Sequence, residues 1–312
     1  MKVSVKVPAT SANIGPGFDC LGLALPIYNT ITIEETVLPG TGIEINMMSE
    51  DEVFDEMIFD NIPKDENSIV YKAVEMLYNS IGQEPSELKI NIQSQIPITR
   101  GLGSSAAVIV GGLMAANKLL GSPADETALL SIATEVEGHP DNVAPAILGG
   151  FVLSSQEEDG SIICQKLDWP EEWDITVCIP DFELSTNIAR SVLPENIPLS
   201  DAVFNAKHLA MLIDAVNKKD EKLMKIALKD KLHQPYREKL VPGMKEIMDA
   251  FKHEDGVLGT VLSGAGPTML VISHKYDLDK IKATVQEIWE GQSIKVDIKT
   301  LKVEPEGAKF VE

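Results

Sequence analysis

The sequence predicts an α+β protein of two domains. Three observations carry the prediction. The chain is 312 residues long, more than one hydrophobic core usually organises. Strand-like and helix-like segments come in runs and do not alternate strictly, as a doubly wound parallel sheet would require. Hydrophobic residues make up 44% and charged residues 24%, enough apolar material for a sizeable core. A change of rhythm along the chain divides it into 1–165 and 166–312.

The elements follow in order. Val3, Val5 and Val7 alternate with polar residues, a strand that Pro8 is expected to end. Residues 28–35, YNTITIEE, alternate again, so strands are expected on either side of SANIGPGFDCLGLAL. Residues 39–66 are acidic and broken by Gly and Pro, and read as irregular edge structure. Val70, Ala73, Val74, Leu77 and Tyr78 have helical spacing over 67–82, with Asn67 as cap and Gly82 as stop. Ile90, Ile92 and Ile96 share one face of a strand ending at Pro97. Residues 104–120 are apolar almost all round, the signature of a buried helix. Ser122 is expected to cap the next helix, with Pro123 at its first position. That helix ends in EGHPDN, and the short apolar helix VAPAILGG follows. In the second half, a strand at 174–180 precedes helices near 201–217, 219–231 and 242–252. Strands then flank SGAGP, and a helix at 277–290 leads to a last strand near 294–303.

Charge excludes several functions. The net charge is −21, from 27 basic and 48 acidic residues, so nucleic acids and anionic membranes are repelled. No apolar run approaches the roughly 20 residues of a membrane span. The opening MKVSVKVPAT reads as a strand and not as a signal peptide. Cys20, Cys164 and Cys178 are far apart and lack CxxC spacing, which argues against a disulfide framework or structural zinc. A cytoplasmic protein with reduced thiols is expected.

The stretch with the most chemistry is Pro97, Ile98, Thr99, Arg100, Gly101, Leu102, Gly103, Ser104, Ser105, Ala106 and Ala107. A strand ends, the chain turns through two glycines, and a helix begins. The first N–H groups of that helix lack intrahelical partners and carry the positive end of its dipole. Glycines let the backbone approach a phosphate, and serine hydroxyls add donors or a Mg²⁺ ligand. The lysine of a P-loop is absent, but a helix N-terminus and a metal ion can supply its charge. No GxSxG elbow surrounds Ser104 or Ser105, which removes a serine hydrolase.

Three ordered stretches resemble the GHMP kinase superfamily: PATSANIGPGFDCLGLAL at 8–25, IPITRGLGSSAA at 96–107 and LSGAGPTMLVI at 262–272. Within it, GHPDNVAPA, TNIAR and PYR resemble the homoserine kinase family. The resemblance implies an N-terminal domain like ribosomal protein S5, a ferredoxin-like α/β C-terminal domain and a homodimer. It also implies phosphorylation of the side-chain hydroxyl of L-homoserine by ATP and Mg²⁺.

Homoserine is a small zwitterion, so its site must hold an ammonium and a carboxylate. Asp19 suits the ammonium, with Asn13 and Asn142 adding amide groups. Arg190 and Arg237 are planar donor forks suited to a carboxylate. The resemblance adds Thr186 and His139 to the amino-acid site. Asn142, Asp141 and Arg190 are the catalytic candidates, Asn142 by positioning and Asp141 as a possible base. Ser104 or Ser105 and one glutamate are expected to hold Mg²⁺. Glu135 and Glu137 both qualify, with Glu137 preferred, although the segment before His139 is shorter than in some of the family. Ser263, Gly264 and Gly266 form the third glycine-rich turn, close to phosphate loop or substrate. The adenine pocket is expected to be aliphatic, between the N-terminal strands and the 67–82 helix. Another small-molecule kinase of the same fold, such as a mevalonate kinase, is the main alternative, followed by a non-catalytic binder.

Overall fold

The computed structural model describes residues 1–35, 43–49, 62–85 and 87–311. β1 (Lys2–Asn13) and β2 (Gly17–Glu35) form one long antiparallel hairpin. The strand does not stop at Pro8. A register shift between Pro8 and Ala9 absorbs the missing N–H, and pairing resumes beyond it. The glycine-rich motif at 8–25 is therefore the tip of this hairpin and not a loop between two strands.

β3 (Ile43–Ser49) pairs in parallel with β4 (Leu88–Ser94), so part of the segment expected to be irregular is an edge strand. Residues 62–66 are irregular as expected, while 50–61 and the residues before 43 lie outside the described residues. α1 (Ile69–Ser80) buries Val70, Ala73, Val74, Leu77 and Tyr78 as their spacing demands. Ser68, not Asn67, occupies its N-cap, and makes no side-chain cap bond. α2 (Ser104–Leu119) is buried on nearly all sides against β1, β2 and α1. α3 (Glu126–Glu137) is capped by Asp125, whose carboxylate accepts from Ala128 N at 2.9 Å. Ser122, expected to be that cap, instead sits in the turn before it with φ +65°. α4 (Pro140–Leu148) starts with the Pro–Asp–Asn of the motif, earlier than VAPAILGG alone suggests. The sequence reading did not mark the hairpin β5 (Phe151–Gln156) and β6 (Ile162–Leu167), which adds to β2.

A second, antiparallel sheet begins with β7 (Asp174–Pro180). Its other strands are β8 (Val257–Leu262), β9 (Met269–Ser273) and β10 (Val296–Leu301), in the order β10-β7-β9-β8. Between β7 and β8 lie α5 (Thr186–Ser191), α6 (Leu199–Lys218), α7 (Glu221–Ala227), α8 (Gln234–Arg237) and α9 (Met244–Phe251). The single-turn α5 and α8 were not anticipated, because four to six residues carry no readable period. α10 (Leu278–Glu290) packs Ile281, Val285 and Trp289 into this lobe's core. Burying each such aliphatic side chain contributes about 1.5–3 kcal/mol, and the Trp289 indole N–H is satisfied by Pro242 O at 2.8 Å.

The chain then returns to the first sheet. Glu304 N donates to Ala24 O, Gly150 N donates to Glu304 O, and the Tyr28 hydroxyl donates to the Glu304 carboxylate. β11 (Lys309–Val311) pairs antiparallel with the outer edge of β1, so the first sheet runs β11-β1-β2-β4-β3. Among the described residues no helix is long and apolar enough to cross a membrane.

Candidate active site

The loop from Pro97 to Ser105 lines a cleft of about 250 Å³. Gly101 and Gly103 take φ of +75° and +67°, the left-handed region that only glycine enters freely. A Cβ on Gly103 would lie 1.9 Å from Thr10 Oγ1, and one on Gly101 2.3 Å from Ser263 O. The loop is thus pressed against β1 on one side and the SGAGP turn on the other. Gly103 is the N-cap of α2, and the first intrahelical bond runs from Ala107 N to Gly103 O at 2.9 Å. The N–H groups of Ser104, Ser105 and Ala106 precede that bond and are positioned to receive an anion. Ala106 and Ala107 side chains are in the core, so they offer only backbone. Arg100 is nearly buried, and its guanidinium donates to Ile98 O and Asp181 O and stands 3.8 Å from Glu183. It fastens the loop to the second lobe.

Glu137 ends α3, lines the cleft and accepts from Ser105 Oγ at 2.5 Å. Glu135 is exposed and turned away. Burial raises the Glu137 pKa above the carboxylate range, opposed by the Ser105 bond. A buried carboxylate beside a hydroxyl, with room for phosphate oxygens, has the hard-oxygen chemistry of a Mg²⁺ site that takes only one or two ligands from protein. Among the described residues no group of three or more His, Cys, Asp or Glu is arranged to hold a metal.

At the start of α4, His139 Nδ1 and Asp141 Oδ1 are 2.6 Å apart. Burial disfavours the charged imidazole, but the Asp141 hydrogen bond and charge outweigh it, so the His139 pKa is raised. Asn142 lies within α4, not at its cap. Its Oδ1 accepts from Thr10 Oγ1 at 2.8 Å, which leaves the amide fixed beside the phosphate loop.

The other end of the cleft is charged. Asn13 and Asp19, both with positive φ, shape the β1–β2 tip, and Asp19 N donates to Asn13 Oδ1. The Arg190 guanidinium meets Asp19 in two bonds of 2.8 and 3.1 Å. Arg237 is buried and donates to Ala189 O and Gly264 O. Burial and the nearby Arg190 pull its pKa down to about 10. The SGAGP turn closes the ring: Gly264 O also accepts from Asn13 Nδ2, and Ser263 Oγ lies 2.6 Å from Gly101 O. Gly264 lines the cleft, while Ser263 and Gly266 stand behind it. Thr186 reaches the cleft from the start of α5.

Sequence reasoning missed three supports. Phe18 lies under both guanidinium groups, 5.6 Å from Arg190 and 5.4 Å from Arg237, and stacks on His233. His233 is fully buried, with Nε2 at 2.8 Å from Gly15 O and Nδ1 at 3.3 Å from an Arg237 nitrogen. Asp230 accepts from His233 N and Gln234 N and fixes the turn. Phe18 belongs to the motif at 8–25 and His233 immediately precedes QPYR, so adjacency to a motif was the available signal.

Residues 68–150 match the family described as GHMP kinases N terminal domain, and residues 212–291 match GHMP kinases C terminal. A homoserine kinase of Microchaete diplosiphon is 42% identical over 306 residues, spanning 98% of this chain and 96% of that protein. A homoserine kinase of Clostridium botulinum is 44% identical over 304 residues, spanning 95% and 96%. The chain belongs to the homoserine kinase family. The crystal structure of homoserine kinase from Cytophaga hutchinsonii superposes with a TM-score of 0.87 at 30% identity, covering 99% of this chain and 97% of that one. A mevalonate kinase structure superposes at 0.67 with 19% identity, covering 97% and 99%, and shares the fold alone. Membership in the homoserine kinase family agrees with a cleft that pairs a phosphate-receiving helix start with a charged end built from Asp19, Arg190 and Arg237.

Proposed function

We propose that the protein transfers the γ-phosphoryl group of ATP to the side-chain hydroxyl of L-homoserine, giving O-phospho-L-homoserine and ADP. One observation carries the reading. A single cleft joins bare helix N–H groups to an anion and two arginines spaced for a zwitterion. The ammonium is assigned to Asp19 and the carboxylate to Arg190 and Arg237.

The chain's own residues position and do not attack. The start of α2 holds the phosphates, with its N–H groups and Ser104. Asn142, held by Thr10, orients the hydroxyl. His139, whose protonated form is favoured by its bond to Asp141, adds positive potential where phosphoryl charge gathers. Thr186 bounds the amino-acid site. Asp141 is occupied by His139, so no side chain is assigned as base. The hydroxyl oxygen forms the new bond to the γ-phosphorus, the bond to ADP breaks, and a phosphoryl oxygen receives the proton. Ser105 and Glu137 would hold Mg²⁺, which would neutralise charge on the transferring group.

In this reading residues 1–165 form the ATP-binding domain and 166–312 the second domain, with the end of β6 and all of β11 belonging to the first sheet. A cytoplasmic location and a homodimer are parts of the same reading that rest on family resemblance, and sedimentation analysis checks the dimer. The central test is ADP release from purified protein with MgATP and a panel of homoserine, mevalonate, shikimate and galactose. Release with homoserine alone supports the reading. Release with mevalonate alone transfers it to the other kinase class, and no release with any of the four leaves a binder.

A further inference from the structure

The end of the cleft away from the two arginines is apolar. Met47 of β3, Ile69 of α1, Ile92 of β4, Ile98 and Val108 of α2 enclose it. Asn29, Ser68 and Ser94 break that lining. Asn29 and Ser68 are almost wholly buried, and each carries an atom without a hydrogen-bond partner, Asn29 Nδ2 and Ser68 Oγ.

The orientation of Asn29 is fixed by chemistry. Its Oδ1 accepts from Ser94 Oγ at 2.7 Å, Gln95 N at 3.2 Å and Ile96 N at 3.1 Å. Two of those donors are backbone N–H groups, which cannot accept, so the amide cannot be reversed. Both Nδ2 hydrogens are left unspent. Ser68 is equally unusual. It sits at the N-cap of α1, where a serine normally bonds the helix, yet it makes no side-chain cap bond. Buried polar atoms are almost always paired, and two unpaired ones on the same apolar end of a cleft point to a ligand.

We propose that Asn29 Nδ2 and Ser68 Oγ read the base of the nucleotide. Asn29 donates to a ring nitrogen of adenine, and the Ser68 hydroxyl bonds the neighbouring exocyclic amine. The inference rests on the reading of the cleft as an ATP site and assigns its base selectivity. Asn29 also has a second task, since its other face holds the backbone where β4 turns into the phosphate loop. One amide therefore ties base recognition to loop placement.

Two variants test the assignment. Asn29→Asp keeps an oxygen for the three bonds at 94–96 and turns the cavity-facing donor into an acceptor. Ser68→Ala removes an atom that has no partner in the protein, so thermal stability should be retained. Homoserine kinase turnover and direct fluorescence titration with a labelled ADP are measured for both. The expected result is a KM for ATP and a Kd for ADP raised about tenfold in Asn29→Asp and several-fold in Ser68→Ala. The KM for homoserine should stay at its wild-type value, so that the loss falls on the nucleotide. Wild-type protein should also discriminate between ATP and deaza-ATP analogues that lack one ring nitrogen, and Asn29→Asp should lose that discrimination. Unchanged nucleotide affinity in both variants, with wild-type ATP turnover intact, overturns the assignment. Failure of the underlying ATP reading shows separately, as wild-type protein that neither binds ADP nor turns over ATP.

Discussion

Asp19 and Arg190 meet across the cleft in a two-point ion pair of 2.8 and 3.1 Å, one from the tip of the β1–β2 hairpin and one from α5. The residues proposed to take the two opposite charges of a zwitterion are thus each other's partners, and a zwitterion that met both would exchange one ion pair for two.

Asp19→Asn should therefore raise the KM for homoserine by roughly 10–100-fold, the range for losing one charge-assisted hydrogen bond, and leave the KM for ATP unchanged. Steady-state kinetics with each substrate varied in turn check this. Combined with Arg190→Gln, the losses should fall short of additive, because the two side chains serve one ligand and one another. Wild-type homoserine kinetics in Asp19→Asn would sink the substrate assignment.

Gly103→Ala tests the loop. The left-handed conformation alone costs a non-glycine residue about 1–2 kcal/mol, and the new methyl would lie 1.9 Å from Thr10 Oγ1. Thr10 would have to shift and release Asn142. The expected outcome is a melting temperature lowered by several degrees and loss of most activity, with nucleotide affinity falling most. Calorimetry and ADP titration measure the two effects separately.

Glu137→Gln should separate stability from activity. Burial raises the Glu137 pKa in the folded chain, so the native state disfavours the charged form. The resulting loss of stability develops as pH rises from the ordinary range near 4.3 through the elevated value. At neutral pH the amide should leave the ligand-free protein at least as stable as wild type. It should lower kcat on the order of a hundredfold and abolish stabilisation by Mg²⁺ with ADP. Melting curves with and without Mg²⁺ check the sign.

His233 supports Arg237 only as a neutral ring, because Nε2 donates to Gly15 O and Nδ1 accepts from Arg237. Burial lowers its pKa. Its contribution to stability is therefore present above about pH 6.5 and lost as pH falls through the lower folded value. His233→Gln offers a donor and an acceptor and should flatten that part of the pH–stability profile while keeping homoserine affinity. His233→Leu should raise the KM for homoserine about tenfold or more, with the KM for ATP unaffected.

Much of the site was legible because its motifs report backbone geometry. Gly101 and Gly103 before an apolar helix dictate a phosphate-receiving turn from local sequence alone. The choice of Glu137 over Glu135 depends on which face of α3 meets Ser105, a tertiary fact. The pairing of Asp19 with Arg190 joins residues from different lobes and leaves no mark on either segment. Asn29 was hidden because an asparagine in an alternating strand looks like an ordinary solvent-facing position. Pro8 misled for the reverse reason: proline reads as a stop, but a register shift lets the strand pass it. The hairpin of β5 and β6 escaped notice because its exposed face is polar and its strands are short.

β11 covers only Ser4 to Lys6 on the rim of β1, yet that contact shields the outermost ladder of the first sheet. Without it, a valine-rich strand would present open N–H and C=O groups to any passing chain. The protection comes from the opposite end of the sequence, a pairing of high sequence separation that costs loop-closure entropy. Removal of residues 309–311 should accordingly leave the chemistry's side chains in place and turn the protein toward self-association, a hazard of assembly more than of catalysis.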